Sequence, residues 1–390
     1  MALIVQKFGG SSVANVERIF NVAKIITDTY KEGNQVVVVL SAQGDTTDEL
    51  KEKAKEINEN PSRRELDVLL STGEQISIAL MAMAIEKLGF PVVSLTGWQA
   101  HIQSDSNYLN ARIKNIMPDR IQNELARRNI VLVAGFQGIN RFNDITTLGR
   151  GASDTTAVAL AAKLGADLCQ IYTDVDGVYT ADPRIVKTAH KLDEITFDEM
   201  LELASLGAQV LHNRSVEMAK RFNVNLEVRS SLENKPGTIV KEVAKHMEST
   251  TISGVAKDDN VAVIALTHLK DVPGVAYKIF SLLATKKVNV DIILQSIGRE
   301  DTKDITFTVT EDNVEIAKEV LTESQESLGF ESMSIDTGVS KVSIVGSGMV
   351  NNPGIASQMF EALSSVGVNI HMISTSEIKV SVLINQSDSD

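Results

Sequence analysis

Strand-like runs that are apolar on both faces alternate with helical patterns from Met1 to about Pro236. The runs QVVVVLSA (Gln35–Ala42), FPVVSLTG (Phe90–Gly97), NIVLVAGF (Asn129–Phe136), LCQIYTDV (Leu168–Val175) and VNLEVRSS (Val224–Ser231) leave few polar positions for a solvated face. Between them, Leu69–Gly89, Ser153–Asp167 and Glu199–Phe222 repeat apolar residues at helical spacing. A strand buried on both faces needs a helical layer on each side. The expected fold class is therefore α/β, with a mostly parallel central sheet. Ligands in such sheets sit beyond the C-terminal ends of the strands, so the loops leaving the strands are where chemistry is expected.

The chain has 390 residues, long for a single domain. Its pattern changes after Pro236, where the sequence overlays on itself at an offset of 80. PGVAYKIFSLLATKKVNVDIILQS (Pro273–Ser296) matches PGIASQMFEALSSVGVNIHMISTS (Pro353–Ser376) without a gap. Each unit reads as a strand, a Pro-Gly helix start, an amphipathic helix and a second strand, which predicts two equivalent modules.

A net charge of −13 and the lack of clustered Lys and Arg argue against nucleic acid as a partner. The single cysteine, Cys169, cannot form an internal disulfide, which fits a reducing compartment. No basic-apolar leader precedes the first strand, and no apolar run reaches the ~18 residues of a membrane helix. The expectation is a cytoplasmic protein without a membrane partner.

The opening stretch ALIVQKFGGSS (Ala2–Ser12) is a strand that collapses into a side-chain-poor loop. Val13–Thr27 follows with helical spacing, and Ser11 or Ser12 is the expected N-cap. Alone, Lys7 before Gly9 and Gly10 could be a tight turn with an incidental lysine. Between a strand and a helix N-terminus it becomes an anion cradle of backbone N–H groups and one ammonium.

TLGRGASDTTA (Thr147–Ala157) is a second glycine-rich loop, with Arg150 suited to a bidentate carboxylate and Ser153 and Asp154 in the following first turn. In LSTGE (Leu70–Glu74), Glu74 opens a long apolar helix, where it could serve only the helix dipole. SAQGDTTDEL (Ser41–Leu50) offers Ser41 and Thr47 as hydroxyls at a strand end. YTDVDGVYTADPR (Tyr172–Arg184) begins like a calcium loop, but Val178 and Ile185 stand at later ligand positions. VGSGMVNN (Val345–Asn352) lacks the third glycine of a dinucleotide fingerprint. His212 and the other histidines show no paired spacing, and no metal site is expected from the protein's side chains.

Together, KFGGSS, STGE, TLGRGASDTTA, TDVDGVYTADPR and the C-terminal repeat resemble the monofunctional aspartate kinase (aspartokinase) family. The match runs in order through almost the whole chain. The resemblance implies an amino-acid-kinase α/β/α sandwich followed by two α+β ACT units of βαββ type. Residues 1–237 would form the catalytic domain, 238–260 a linker with a strand near TISGVA that joins the second ACT unit, 261–335 the first ACT unit and 336–390 the second. The chain ends before the final helix and strand usual in the family, so the second unit is expected to lack its C-terminal part.

The implied reaction converts ATP and L-aspartate to ADP and 4-phospho-L-aspartate, with Mg²⁺ on the phosphates. By resemblance Lys7 and Asp154 are catalytic, and Ser41, Thr47, Glu74, Arg150, Ser153 and Asp154 bind aspartate. Lys7, Phe8, Gly9, Gly10, Ser11, Thr173, Asp174, Tyr179, Asp182 and Arg184 match the ATP segments. Asp271, Gly274, Ala276, Asp291 and Gln295, with Asn369, Ile370 and Ser376 from a second chain, match positions for lysine, with threonine as a second or alternative effector. That arrangement implies a homo-oligomer built through the ACT units. The chain departs from many relatives at Gln209, where a lysine that helps bind ATP is usual, and at Asn213, usually proline. Two rivals stay open: a kinase of the same fold for another acid or a nucleotide, and a non-catalytic amino-acid sensor.

Overall fold

The computed structural model describes the chain except residues 150, 207–209, 245–250, 297, 299 and 300, and the side chain of Asn351. Arg150 and Gln209 thus lie outside the described residues. The chain divides into two compact units, one built mainly from residues 1–183 and 188–247, the other mainly from 248–390.

In the first unit an eight-stranded sheet runs, from edge to edge, Glu194–Thr196, Thr238–Lys241, Leu226–Ser230, Leu168–Thr173, Leu3–Phe8, Gln35–Leu40, Ile130–Ala134 and Val92–Leu95. All neighbours are parallel except Leu226–Ser230 against Thr238–Lys241. The five apolar runs and the opening strand form the six consecutive parallel members. Helices Val16–Lys31 and Thr72–Lys87 cover one face, where Phe8, Val38, Leu40, Ile26, Met81 and Ile85 share one core. Helix Ala152–Leu164 covers the other face over Leu3–Phe8, Gln35–Leu40 and Leu168–Thr173. Its first ten residues are all buried, as expected of a helix packed between the sheet and helix Asn213–Phe222 of its own layer. The result is a three-layer α/β/α sandwich. A smaller sheet, in the order Ile113–Ile116, Ile102–Ser104, Gln137–Ile139 and Ile145–Thr147, leads into the second glycine-rich loop.

Four local expectations change. The first helix begins at Val16, not Val13, and its N-cap is Asn15, whose Oδ1 accepts the Arg18 N–H at 3.0 Å. Residues Gly10–Val13 close a 3-10 turn first, and the Ser12 hydroxyl is spent on Ser231 Oγ at 2.8 Å. Glu199–Phe222 is two helices, Phe197–Ser205 and Asn213–Phe222, the second capped by His212 Nδ1 accepting from Arg214 N–H. The Leu69–Gly89 pattern breaks at Ser71, whose carbonyl accepts from Gln137 Nε2 at 2.9 Å. Finally, across Arg63–Lys87 an 18-residue window has a mean hydropathy of 1.6, so by length and composition one stretch does match a membrane span. Half of that window is buried, with Ile78, Met81 and Ile85 in the sheet core, as in the core helix of a layered fold.

The second unit holds two four-stranded antiparallel sheets. One is ordered Ile293–Gln295, Thr302–Val309, Ala262–Lys270, Ser332–Asp336; the other Met372–Thr375, Lys379–Asn385, Val339–Val345, Gly254–Asp258. The 80-residue offset is kept in space. Helices Val275–Thr285 and Ile355–Ser365 each follow a left-handed glycine, Gly274 at φ +93° and Gly354 at φ +97°. The strand Gly254–Asp258 pairs antiparallel with Val339–Val345, in the place that Ser332–Asp336 takes in the first sheet. The fourth strand of the second sheet thus precedes the first module in the chain.

The Asn15 cap generates a direct test. Asn15→Ala should cost about 1 kcal/mol of stability, seen as a lower denaturant midpoint with an unchanged m-value. An unaltered midpoint would mean that the 3-10 turn alone fixes the start of the helix.

Candidate active site

The loops leaving the C-terminal ends of the central strands converge. Lys7 is the penultimate residue of the first strand, and its Nζ lies 2.7 Å from Asp154 Oδ1, with both side chains about nine-tenths buried. The same Nζ passes over Gly9, 3.5 Å from where a Cβ would sit. An ammonium and the open backbone of the loop therefore face one spot. Because the helix starts only at Val16, the cradle is made by the loop and Lys7, not by a helix N-terminus at Ser11.

Phe8 stacks on Tyr172 with ring centroids 4.5 Å apart, joining the first strand to Leu168–Thr173. Ser11 is exposed, and its carbonyl accepts from Arg18 Nη1. Ser41 N–H donates to Phe8 O at 3.1 Å, tying the ends of the first two strands together. Thr47 is half-buried in the first turn of helix Thr46–Ile57, one step beyond the strand-end loop where the sequence suggests it.

Glu74 is 3% exposed in the first turn of helix Thr72–Lys87. Its Oε1 accepts the Ala42 N–H at 3.1 Å, while Oε2 is buried without a partner among the described residues. Burial pushes its carboxyl up to about 7, against the pull of the Ala42 N–H. Glu74 thus holds the Ala42 backbone as well as standing at the start of its helix, and its second oxygen is left buried. Ser153 packs its Oγ against Gly135, at the end of Ile130–Ala134. Ser153 and Asp154 are both 7% exposed.

The nucleotide-segment residues divide. Thr173 joins the glycine loop through Ser231, whose Oγ donates to Thr173 O at 3.2 Å and accepts from Ser12 Oγ. Asp174 is exposed and Asp182 half-buried. Tyr179 OH donates to Asp176 Oδ1 at 2.8 Å, and Lys191 Nζ lies 3.3 Å from Asp176 Oδ2. Burial would raise the Asp176 carboxyl, but these two donors hold it below its ordinary value. Arg184 belongs to a short segment that groups with the second unit, and its carbonyl accepts from Lys187 Nζ.

Sequence reasoning missed the backbone of Ala42, and it missed Ser12 and Ser231. The pair Ser230 and Ser231, at the end of strand Leu226–Ser230, was a usable signal for a strand-end hydroxyl. Nothing in the sequence marked Ala42, whose N–H is the partner of Glu74.

In the second unit, the two carboxylates expected near an effector ammonium are already paired. Asp271 Oδ1 lies 2.9 Å from Lys303 Nζ, and Asp291 Oδ2 lies 2.6 Å from Lys341 Nζ, which is almost fully buried. Gly274 and Ala276 begin the first repeat helix, Gln295 ends an edge strand, and Asn369, Ile370 and Ser376 flank the corresponding edge strand of the second sheet. Neither repeat helix has a side-chain cap.

The shifted Glu74 carboxyl gives a signed prediction. Its folded pKa stands above its ordinary 4.5, so the folded state holds the proton more tightly than the unfolded one. This contribution to stability is complete below about pH 4.5 and is lost as pH rises through about 7. Glu74→Gln should flatten the fall in ligand-free stability across that window, by up to about 3 kcal/mol. Denaturant titrations of both proteins across that range measure it, and parallel curves would contradict the assignment.

The amino acid kinase family model matches residues 2–230, and an ACT domain model matches 267–325 and 342–390. The chain is 51% identical to the aspartokinase of Bacillus sp. (strain MGA3) over 387 residues, 99% of this chain and 94% of that one. It is also 51% identical to the aspartokinase of Mycobacterium tuberculosis (strain ATCC 25618 / H37Rv) over 395 residues, 100% of this chain and 94% of that one. Among solved structures, aspartate kinase from Synechocystis is 47% identical with a TM-score of 0.58, covering 100% of this chain and 68% of that one. E. coli aspartokinase III in complex with aspartate and ADP has a TM-score of 0.82 at 24% identity, a likeness of fold covering 99% and 97%. With its kinase sandwich, its paired ACT sheets and half its residues shared with the Bacillus and Mycobacterium aspartokinases over 94% of their length, the chain belongs to the aspartokinases of the amino acid kinase family.

Proposed function

We propose that this aspartokinase transfers the γ-phosphoryl group of ATP to the β-carboxylate of L-aspartate, giving 4-phospho-L-aspartate at the entry to lysine, threonine and methionine biosynthesis. The observation that carries the assignment of roles is the buried Lys7–Asp154 pair at 2.7 Å beside the open Gly9 backbone. A carboxylate nucleophile is already ionised at neutral pH, so no general base is needed. The main barrier is the approach of two anions, and a lysine held at the loop offsets that repulsion.

Lys7 would neutralise the transferred phosphoryl group and the attacking carboxylate, while Phe8, Gly9, Gly10 and Ser11 cradle the phosphates. Thr173, Asp174, Tyr179, Asp182 and Arg184 would bind the rest of the nucleotide. Glu74, with its free buried oxygen, and Asp154 would receive the substrate ammonium. Arg150 would grip the α-carboxylate, and Ser41, Thr47 and Ser153 would orient the reacting end. The cradle presents N–H groups and an ammonium, donors that suit phosphate oxygens and not a metal ion. Mg²⁺ would therefore enter on the nucleotide, where it supplies charge neutralisation of the phosphates. E. coli aspartokinase III has been solved with aspartate and ADP, a pair of ligands consistent with this reading.

A coupled ADP-release assay with aspartate, glutamate and uridylate as acceptors tests the reaction. Aspartate should be preferred, and Lys7→Ala should lower kcat at least about a hundredfold, equivalent to ~2.7 kcal/mol. Arg150→Lys should raise the aspartate KM more than the ATP KM, because the planar fork is lost. An equal rise in both constants would place Arg150 elsewhere.

Regulation is proposed through the repeat. The first repeat helix starts without a side-chain cap, so its first N–H groups suit an amino acid carboxylate. Asp271 and Asp291 lie in the same module, but an effector ammonium must compete with Lys303 and Lys341 for them. The second side of the site, Asn369, Ile370 and Ser376, would come from another chain, which calls for a homo-oligomer. E. coli aspartokinase III has also been solved with lysine and aspartate. Titrating lysine and threonine, singly and together, should lower activity at millimolar levels. Asp291→Ala should then raise the concentration needed for half inhibition. Activity indifferent to both amino acids would remove the regulatory reading.

A further inference from the structure

The segment leading into Ser153 and Asp154 at the start of helix Ala152–Leu164 is fastened upstream by side chains with no part in the site so far. Asp67, on helix Arg63–Leu70, is fully buried. Its Oδ1 accepts Thr147 Oγ1 at 2.5 Å, and both of its oxygens lie 3.1 Å from the Leu109 N–H. Thr147 is also fully buried, and its carbonyl accepts the Ala111 N–H at 2.9 Å. Arg214 meets the same stretch from helix Asn213–Phe222. It donates from Nη1 to Leu148 O at 2.6 Å and from Nη2 to Ala111 O at 3.3 Å. Leu148 packs with Ala111 and Ala152 in a small apolar cluster of its own.

Two oppositely charged side chains, from helices about 150 residues apart in sequence, thus hold residues 147 and 148 just before Gly149. Burial raises the Asp67 carboxyl above its ordinary value, and the Thr147 hydroxyl and Leu109 N–H oppose that rise. A charged acceptor makes a stronger and more directional bond than a neutral one. Burying one costs more than an amide would, so its presence calls for a return in geometry. That return falls on the loop, because a binding group misplaced by about 1 Å can lose most of its effect.

We infer that Asp67 and Thr147 are positioning residues for the amino acid substrate. Their bond sets where Thr147 ends its strand, and so where the start of helix Ala152–Leu164 presents Ser153 and Asp154 to an amino acid. The inference rests on the reading of that segment as the aspartate site. Neither residue touches substrate in this scheme, and the nucleotide cradle at Lys7–Ser11 is not held by this bond.

The test is kinetic. Thr147→Val removes the hydroxyl, and the aspartate KM should rise about tenfold with the ATP KM changed less than about twofold. Thr147→Ser keeps the hydroxyl and should restore the aspartate KM. A purely structural role would instead lower the thermal midpoint and leave both KM values alone, and that result overturns the proposal. So does an equal rise in both constants, or a serine variant no better than valine. Asp67→Asn repeats the test where valine disturbs folding. If neither variant gives folded enzyme, the pair holds the fold and not the loop, and the proposal falls. Ser153→Ala separates the two layers of argument. If it raises the aspartate KM while Thr147→Val does not, the positioning pair alone fails; if neither moves it, the reading of the loop fails as well.

Discussion

The site depends on close backbone approach at the C-terminal ends of the parallel strands. A Cβ on Gly10 would lie 2.6 Å from Ala42 O, and one on Gly73 2.8 Å from Ala42 Cβ. These glycines bring the first loop and the start of helix Thr72–Lys87 onto the same residue from two directions. Contact at that range lets Glu74 reach the Ala42 N–H, and it leaves the Gly9 backbone open beneath Lys7. Only a layer of loops this thin can seat ionisable groups from separate strands and helices around one substrate.

Charge is then distributed unevenly over that layer. Lys7 and Asp154 neutralise one another, whereas Glu74 keeps a buried oxygen without a partner among the described residues. Such an oxygen is costly to bury, and in the proposed role an ammonium would relieve it. Part of the binding free energy of an amino acid would therefore come from removing strain that folding leaves behind. Below the loops, the Gln6, Gln170 and Glu227 side chains form a buried hydrogen-bonded ladder across three strands, with links of 2.9 and 2.8 Å. A buried polar ladder of this kind fixes strand register, and register fixes which residue ends each strand.

The C-terminal modules follow a different logic. Their sheets are antiparallel, and their edge strands Ile293–Gln295 and Met372–Thr375 occupy corresponding places in the repeat. The buried Lys341 joins Asp291 of the first module to Asp258 and the second sheet, at 2.6 and 3.7 Å, so the charge expected to attract an effector also ties the two modules together. An effector that competes for Asp291 would act on that tie as well as on its own site.

Much of the fold was legible in the sequence because a parallel sheet covered on both faces demands near-continuous apolar runs that recur between helical patterns. All five such runs lie in the central sheet, and the 80-residue offset returns as two helices with matching left-handed glycines. Motif residues such as Lys7, Glu74, Ser153 and Asp154 could be picked out because glycine-rich strand ends are local in sequence. The helix start at Asn15, the break at Ser71 and the cap at His212 could not, since each depends on which partner a serine, a carbonyl or a ring finds in space. The same holds for Asp67 with Thr147, Arg214 with Leu148, and the early strand Gly254–Asp258 in the second sheet. Hydrophobic period is written along the chain, so sequence alone determined the layers and the loops that bear the chemistry. Hydrogen-bond partners far apart in the chain, and the burial that shifts Glu74, exist only once the layers have closed, so tertiary structure decided them.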